Sequence, residues 1–198
     1  MIDVIIPTML ELYDPRIQSL ITEVRNTSEV NLIVTCTKAS ASANRNIGLD
    51  ASKSDIVIMI DDDITGLPVG WAEALEHVIR TQDNCVMVSP QLFQPDGAFG
   101  FMMGVRKSRH SGLSTAAGIL PTACIAIWAN GIRFDENFIG SGFEDNDYCA
   151  QLRLMKPDGR FLVAHDVHVI HRNEAKNQHG IYWDHNKAYF HNKWDKEQ

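Results

Sequence analysis

The chain has 198 residues, a formal net charge of −7 and 44% hydrophobic residues, which suits one soluble domain able to bury its own core. The acidic balance excludes a general affinity for nucleic acid or anionic membrane, since both need Lys and Arg gathered on one face. Cys36, Cys85, Cys124 and Cys149 are widely spaced without a C-x-x-C pair, so they read as buried free thiols, not as a disulfide framework or a zinc site.

The N-terminal stretch "MIDVIIPTML" has no basic leader, and its apolar run is too short for a membrane span or a secretory core. The expectation is an intracellular, cytoplasmic protein with no anchor. Short, β-branched apolar runs at Asp3–Pro7, Asn31–Cys36, Ile56–Ile60 and Val86–Ser89 predict buried strands. Helical patterns lie between them. In "DPRIQSLITEVRN", Asp14 is placed to cap, Pro15 suits the first helical position, and Ile17, Leu20, Ile21 and Val24 form one stripe. In "GWAEALEHVIRTQ", Trp71, Leu75, Val78 and Ile79 share a side. Strands alternating with helices predict an α/β fold, Rossmann-like, with a mainly parallel central sheet covered by helices on both faces.

From Pro95 to Leu120 the pattern dissolves into a Gly- and Ser-rich stretch carrying Arg106, Lys107, Arg109 and His110. A loop over a site and an ordinary long connection both fit that stretch. Its basic cluster fits either a diphosphate contact or a solvated tip. Order resumes with "TACIAIW" (Thr122–Trp128), a helix from about Phe143 to Met155 and the apolar segment "RFLVAHDVHVIH" ending at His171. The aromatic tail "GIYWDHNKAYFHNKW" is expected to pack on the domain.

The chemistry concentrates where "DIVIM" runs into Asp61, Asp62 and Asp63. Three adjacent carboxylates repel one another, so something must offset that repulsion. In open α/β sheets ligands bind beyond the carboxyl ends of the strands, where Ile56–Ile60 would deliver these side chains. Strand alternation sends Asp61 and Asp63 to one side and Asp62 to the other. A hard divalent cation suits such a pair and brings phosphate oxygens with it. A solvated capping turn fits a bare DDD string as well, and the buried strand before it favours the metal.

In "GSGFEDNDYCAQLRL", Ser141 and Glu144 have capping-box spacing, which gives Glu144 a structural role. Asp145 follows in the first turn beside Gly140 and Gly142, placed either as a general base or as a partner of the helix dipole. In "HDVHVIH", His165 and His171 share a strand face and His168 opposes them. His171, at the end of the run, is the candidate metal ligand and His168 a weaker second choice. Asn44, Arg45 and Asn46 form a donor-rich cluster suited to a phosphate or nucleoside, or to the polar face of a helix.

Read together, "VIIPT", "ANRNIGLDASKSDIVIMIDDD", "GIRFDENFIGSGFEDNDYCAQLRLMKPDG", "VIH" and "KAYFHNKW" resemble a family 2 glycosyltransferase of the GT-A fold, from about residue 3 to residue 194. The resemblance implies one GT-A domain over 1–198, with a nucleotide-sugar-binding half to about residue 94 and an acceptor-binding half from about residue 95. It implies that Pro7, Thr8, Arg45, Asp61 and Asp62 serve the nucleotide, and that Asp63 with His171 binds Mn²⁺ or Mg²⁺ at the diphosphate. Asp145 becomes the catalytic base, with Glu144, Gly142 and Trp128 acceptor-side or structural. The C-terminal part is also similar to metal-dependent galactosyltransferase-type families, where a residue three before the histidine joins the metal, hence His168. The loop after the second strand departs from the family, with Thr35, Cys36 and Thr37 in place of an acidic residue and a Gly/Ser turn.

The implied reaction moves a sugar from a nucleoside-diphosphate sugar, UDP-sugar first, to an acceptor hydroxyl of a glycan, a lipid-linked sugar or a protein, with inversion. A nucleotidyltransferase on a related fold and a non-catalytic sugar-nucleotide-binding protein are the rivals. Against the first, "PTMLELYDP" lacks the Gly-rich, Arg-containing loop expected after its first strand.

Overall fold

The structure, a computed structural model, describes residues 2–100, 112–115, 119–172 and 179–195. The basic cluster at Arg106, Lys107, Arg109 and His110 lies outside the described residues. In chain order the elements are β1 (Ile2–Thr8), α1 (Pro15–Thr27), β2 (Val30–Cys36), α2 (Ala41–Ala51), β3 (Ile56–Ile60), β4 (Ile64–Thr65) and α3 (Trp71–Thr81). They continue with β5 (Cys85–Phe93), β6 (Leu113–Thr115), β7 (Cys124–Trp128), α4 (Glu144–Met155), β8 (Arg160–His171) and α5 (His179–Trp194).

One sheet runs through both halves of the chain in the order β2-β1-β3-β7-β5-β8-β4, with β6 also paired to β8. β1, β2, β3, β5 and β8 run in one direction, and β7, inserted between β3 and β5, runs against them. Every residue of β1 and β3 is buried, as continuous apolar strands in a sheet covered on both faces should be. β2 lies at the edge and is only partly covered.

Local chemistry accounts for the helices. Asp14 caps α1 by accepting from the Arg16 amide at 2.9 Å, Pro15 opens the first turn, and Ile17, Leu20 and Val24 are buried. The α1 and α3 ends meet: the Gly70 amide donates to the Thr27 carbonyl at 2.7 Å and the Trp71 indole to the Thr27 hydroxyl at 3.2 Å. The α2 helix sits so close on β1 that a Cβ at Gly48 would lie 2.3 Å from Ile5 Cγ2. Only glycine permits that approach.

One sequence expectation needs correction here. Ser141 does not cap α4, because the residue before the helix is Phe143, in the left-handed region at φ 68°, and it supplies no side-chain cap. Glu144 instead turns back on the loop and accepts from the Gly142 amide at 2.5 Å. The role is that of a capping box, shifted along the chain because the glycine-rich turn delays the first helical residue. The four cysteines are free, and Cys85, Cys124 and Cys149 are buried packing residues. Among the described residues no helix is long and apolar enough to cross a membrane.

Candidate functional site

The carboxyl end of β3 delivers the aspartates into a turn that is held from two directions. The Asp61 amide donates to the Ala123 carbonyl at 2.8 Å, the Ile64 amide to Asp61 at 3.1 Å, and the Arg172 amide to the Asp63 carbonyl at 3.1 Å. The turn then divides the side chains. Asp62 points to β1, where the Thr8 hydroxyl donates to it at 2.5 Å. Asp61 and Asp63 face the other way and gather with His171, the ligand atoms of all three lying within 4.8 Å of one another. His171 arrives because β8 pairs with β4, which sets it opposite Ile64, and its Nε2 is 3.2 Å from Asp63 Oδ1.

The two carboxylates supply hard oxygen donors of the kind that Mn²⁺ and Mg²⁺ accept, and the imidazole adds a nitrogen donor beside them. The electrostatics also match a cationic guest. Burial pushes the Asp62 carboxyl up, the Thr8 hydrogen bond opposes that, and the neighbouring Asp61 and Asp63 charges add to the rise. Burial would lower the His171 imidazole, yet its hydrogen bond to Asp63 and the surrounding carboxylates raise it above 6.5.

Arg45 projects from α2 into the same cluster. Its side chain is almost completely buried, donates from Nη2 to Asp61 at 2.7 Å and lies 3.9 Å from Glu144 through Nη1. Nε and Nη1 have no hydrogen-bond partner among the described residues. The guanidinium stands over the Phe134 ring, 5.1 Å from its centroid. Glu144 and Asp145 face this cation. Burial and the adjacent Asp145 charge push the Glu144 carboxyl up, to about 7, against the pull of Arg45. Burial likewise raises Asp145, while Arg45 and a hydrogen bond from the fully buried Thr122 hydroxyl oppose the rise. Thr122 immediately precedes Ala123, so the start of β7 holds Asp145 with one residue and Asp61 with the next.

The remaining candidates distribute as follows. Thr8 touches Asp62 and also accepts from the Leu10 amide at 3.0 Å, so it shapes the rim of the site, with Pro7 buried beside it in β1. Asn44 and Asn46 do not face the cluster. Asn44 is consumed by the turn after β2, bonding Thr37 through its amide, hydroxyl and carbonyl, and Asn46 pairs with Phe134 and Glu136. Of that polar triplet only Arg45 reaches the carboxylates.

Trp128 pairs with Ile56, at the opposite end of β3 from Asp61, and its indole donates to the Cys85 carbonyl at 3.0 Å. That position sets it at the far end of β3 from the aspartates. His168 lies outside the Asp61–Asp63–His171 group. It is exposed, stands edge-on to Phe93 at 5.0 Å and lines a separate cavity of about 520 Å³. His165 is buried between Gln91 and Ser114. Residues that the sequence reading did not single out are Thr122, which grips Asp145, and Asn186, which grips the loop before it. A hydroxyl just before an apolar strand was the visible signal for the first; an Asn within an aromatic helix was a faint one for the second.

No family model matches the sequence, and no curated relative is found for it. Solved structures do resemble it. GalNAc-T7, in a crystal structure with UDP, GalNAc and Mn²⁺, has a TM-score of 0.58 at 16% identity, covering 95% of this chain and 43% of that one. Residues 1–349 of TarS from S. aureus give 0.57 at 17%, covering 85% of this chain and 59% of that one. A197 from STIV gives 0.54 at 12%, covering 87% of this chain and 94% of that one. The fold is that of the GT-A glycosyltransferases. The chain thus spans less than half of the GalNAc-T7 chain and nearly all of A197. Likeness at these identities establishes the fold, and the chemistry has to be argued from the side chains.

Proposed function

We propose that the chain is a metal-dependent glycosyltransferase that moves a sugar from a nucleoside-diphosphate sugar, UDP-sugar first, to an acceptor hydroxyl with inversion. The observation that carries this reading is the convergence of Asp61, Asp63 and His171 within 4.8 Å at the carboxyl end of β3. Glu144, Asp145 and the under-partnered Arg45 stand against that group. GalNAc-T7, a structural neighbour, is solved with UDP and Mn²⁺, which adds support from the same fold.

Asp61, Asp63 and His171 would hold Mn²⁺ or Mg²⁺. When bound, the ion supplies positive charge for the diphosphate oxygens of the donor. Arg45, already drawn to Asp61, has two further N–H directions for a donor phosphate or ribose. Thr8 and Asp62 fix the rim on the β1 side. The acceptor oxygen attacks the anomeric carbon, a carbon–oxygen bond forms to it, and the bond to the diphosphate oxygen breaks with its electron pair leaving on the nucleoside diphosphate. Asp145 takes the hydroxyl proton. Burial raises its carboxyl above the ordinary range, which strengthens it as a base, while Arg45 and Thr122 oppose that rise. Glu144 stays structural, tied to the Gly142 amide.

The acceptor is a hydroxyl-bearing molecule, whether glycan, lipid-linked sugar or protein. Incubation with UDP-, GDP- and dTDP-sugars and Mn²⁺, and in parallel with the nucleoside triphosphates and a sugar 1-phosphate, followed by product analysis, tests the reading. Release of a nucleoside diphosphate from a sugar nucleotide is expected; release of pyrophosphate from a triphosphate would make the chain a nucleotidyltransferase. Absence of any donor turnover would leave a sugar-nucleotide-binding protein.

A further inference from the structure

The segment that launches α4 is an unusual piece of backbone. Gly140 (φ 65°), Gly142 (φ 113°) and Phe143 (φ 68°) all lie in the left-handed half of conformational space. For Phe143, whose side chain resists that region, the conformation has to be imposed by its surroundings. Such a turn cannot satisfy its own peptide groups by regular pairing, and it directly precedes Glu144 and Asp145.

The surroundings are supplied by α5. Asn186 is fully buried, and its amide side chain behaves as a strip of backbone turned toward the loop. Its Oδ1 accepts from the Ile139 amide at 3.1 Å, and its Nδ2 donates to the Ile139 carbonyl at 2.9 Å and to the Gly142 carbonyl at 2.9 Å. One side chain therefore ties the two ends of the turn together. The same helix closes on the loop with aromatic rings. A Cβ at Gly140 would fall 2.5 Å from Tyr182 Cδ2, and the Phe143 ring lies 4.7 Å from that of Trp183 and 5.6 Å from that of Phe190. Farther along, Lys193 bridges Asp135 at 2.7 Å and Asp147 at 2.8 Å, and the Trp194 indole donates to Asp147 at 2.9 Å, so α5 is itself fixed to α4.

We propose that Asn186 is a positioning residue for the catalytic base: by clasping Ile139 and Gly142 it holds the turn in the one arrangement that aims Asp145 into the site. The part of this inference that concerns turnover rests on the glycosyl-transfer reading above; the clasp itself does not. Asn186 is far along the chain from the loop and touches neither the metal group nor Asp145, so its loss should misplace the base without disturbing donor binding. A displacement of about 1 Å in a reacting group costs on the order of a hundredfold in rate.

The test uses the full chain carrying Asn186→Ala and, separately, Asn186→Asp. The aspartate keeps an acceptor for the Ile139 amide and turns an oxygen against both carbonyls. Hydrogen exchange is measured by amide, UDP affinity with Mn²⁺ by calorimetry, and donor turnover by nucleoside diphosphate release. The expected result is faster exchange confined to residues 139–145 with β1 and β3 still protected, unchanged UDP affinity and donor KM, and a kcat lowered roughly ten- to hundredfold. Unchanged exchange in 139–145 would overturn the proposal, as would a loss of UDP affinity equal to the loss of rate. Global unfolding of both variants would also overturn it, because Asn186 would then be a general core residue. Should the wild type show no turnover, the glycosyl-transfer reading fails, and the exchange and affinity measurements still decide whether Asn186 clasps the loop.

Discussion

Arg45 donates a hydrogen bond to Asp61 at 2.7 Å, while its buried Nε and Nη1 make none among the described residues. A buried guanidinium with spare donors beside Asp61, Glu144 and Asp145 acts first as a counter-ion: those three carboxylates keep it charged against the cost of its burial. Replacing it by Met should leave them uncompensated and destabilise the protein by about 3–5 kcal/mol at neutral pH. The loss should shrink as pH falls and the carboxylates take up protons, which thermal denaturation at pH 5 and pH 8 would display. A loss that grows on acidification would contradict the counter-ion role.

Burial lowers His171, but its hydrogen bond to Asp63 and the surrounding carboxylates outweigh that and raise it, so protons compete with a metal for its ring nitrogen. Mn²⁺ binding is expected to weaken as pH is lowered, with proton release where the ring is protonated. Calorimetry in buffers of different ionisation enthalpy measures the number released. His171→Ala should abolish the release and most of the affinity.

Gly48 belongs to the "ANRNIG" stretch, and the reason for glycine is steric. An added methyl would sit 2.3 Å from Ile5 Cγ2 and push α2, with Arg45 three residues earlier, away from β1. Gly48→Ala should cost about 1–3 kcal/mol, the usual penalty for overpacking, and weaken UDP binding as well. Urea denaturation and calorimetry report the two effects separately.

At the other end of the sheet, Asp3 tests stability without touching the site. Burial opposes its ionisation, but the Ser52 hydroxyl, the Asn31 amide and the backbone amides of Lys53 and Ser54 overcome that and hold it down at about 2. A carboxyl lowered in the fold stabilises it above the unfolded value of 3.8, and that stabilisation is lost as pH falls through 3.8 toward 2. Asp3→Ala should cost about 2–3 kcal/mol at pH 7 and flatten the acid limb of the stability curve. Its UDP affinity should equal that of the wild type.

These residues also indicate where sequence reasoning reaches and where it stops. β1, β3 and α1 are visible because their burial is uniform and their caps are local: Asp14 and Pro15 announce α1 without any tertiary information. Alternation predicts Asp62 opposite the other two aspartates; in the structure Asp62 meets Thr8 while Asp61 and Asp63 gather with His171, but a turn after β3, not a continuing strand, divides them. What remained hidden depends on partners distant in the chain. The α4 start moved to Glu144 because α5 imposes a left-handed turn on Phe143, and Asn44 and Asn46 were drawn into loop bonding by Thr37 and Phe134. An irregularity in β8 between Ala164 and His168 breaks the parity that His165 and His171 share in sequence, and His165 is held by Gln91 and Ser114, away from the aspartates. β4 and β6 are too short to leave a periodic signal.

The central claim is that Asp61, Asp63 and His171 hold a divalent ion that in turn holds a nucleoside diphosphate. Titration of UDP into the protein with and without Mn²⁺, repeated on Asp63→Ala, tests it most directly. The expectation is tight binding only when Mn²⁺ is present, lost in the variant. Equal UDP affinity with and without the metal would contradict it.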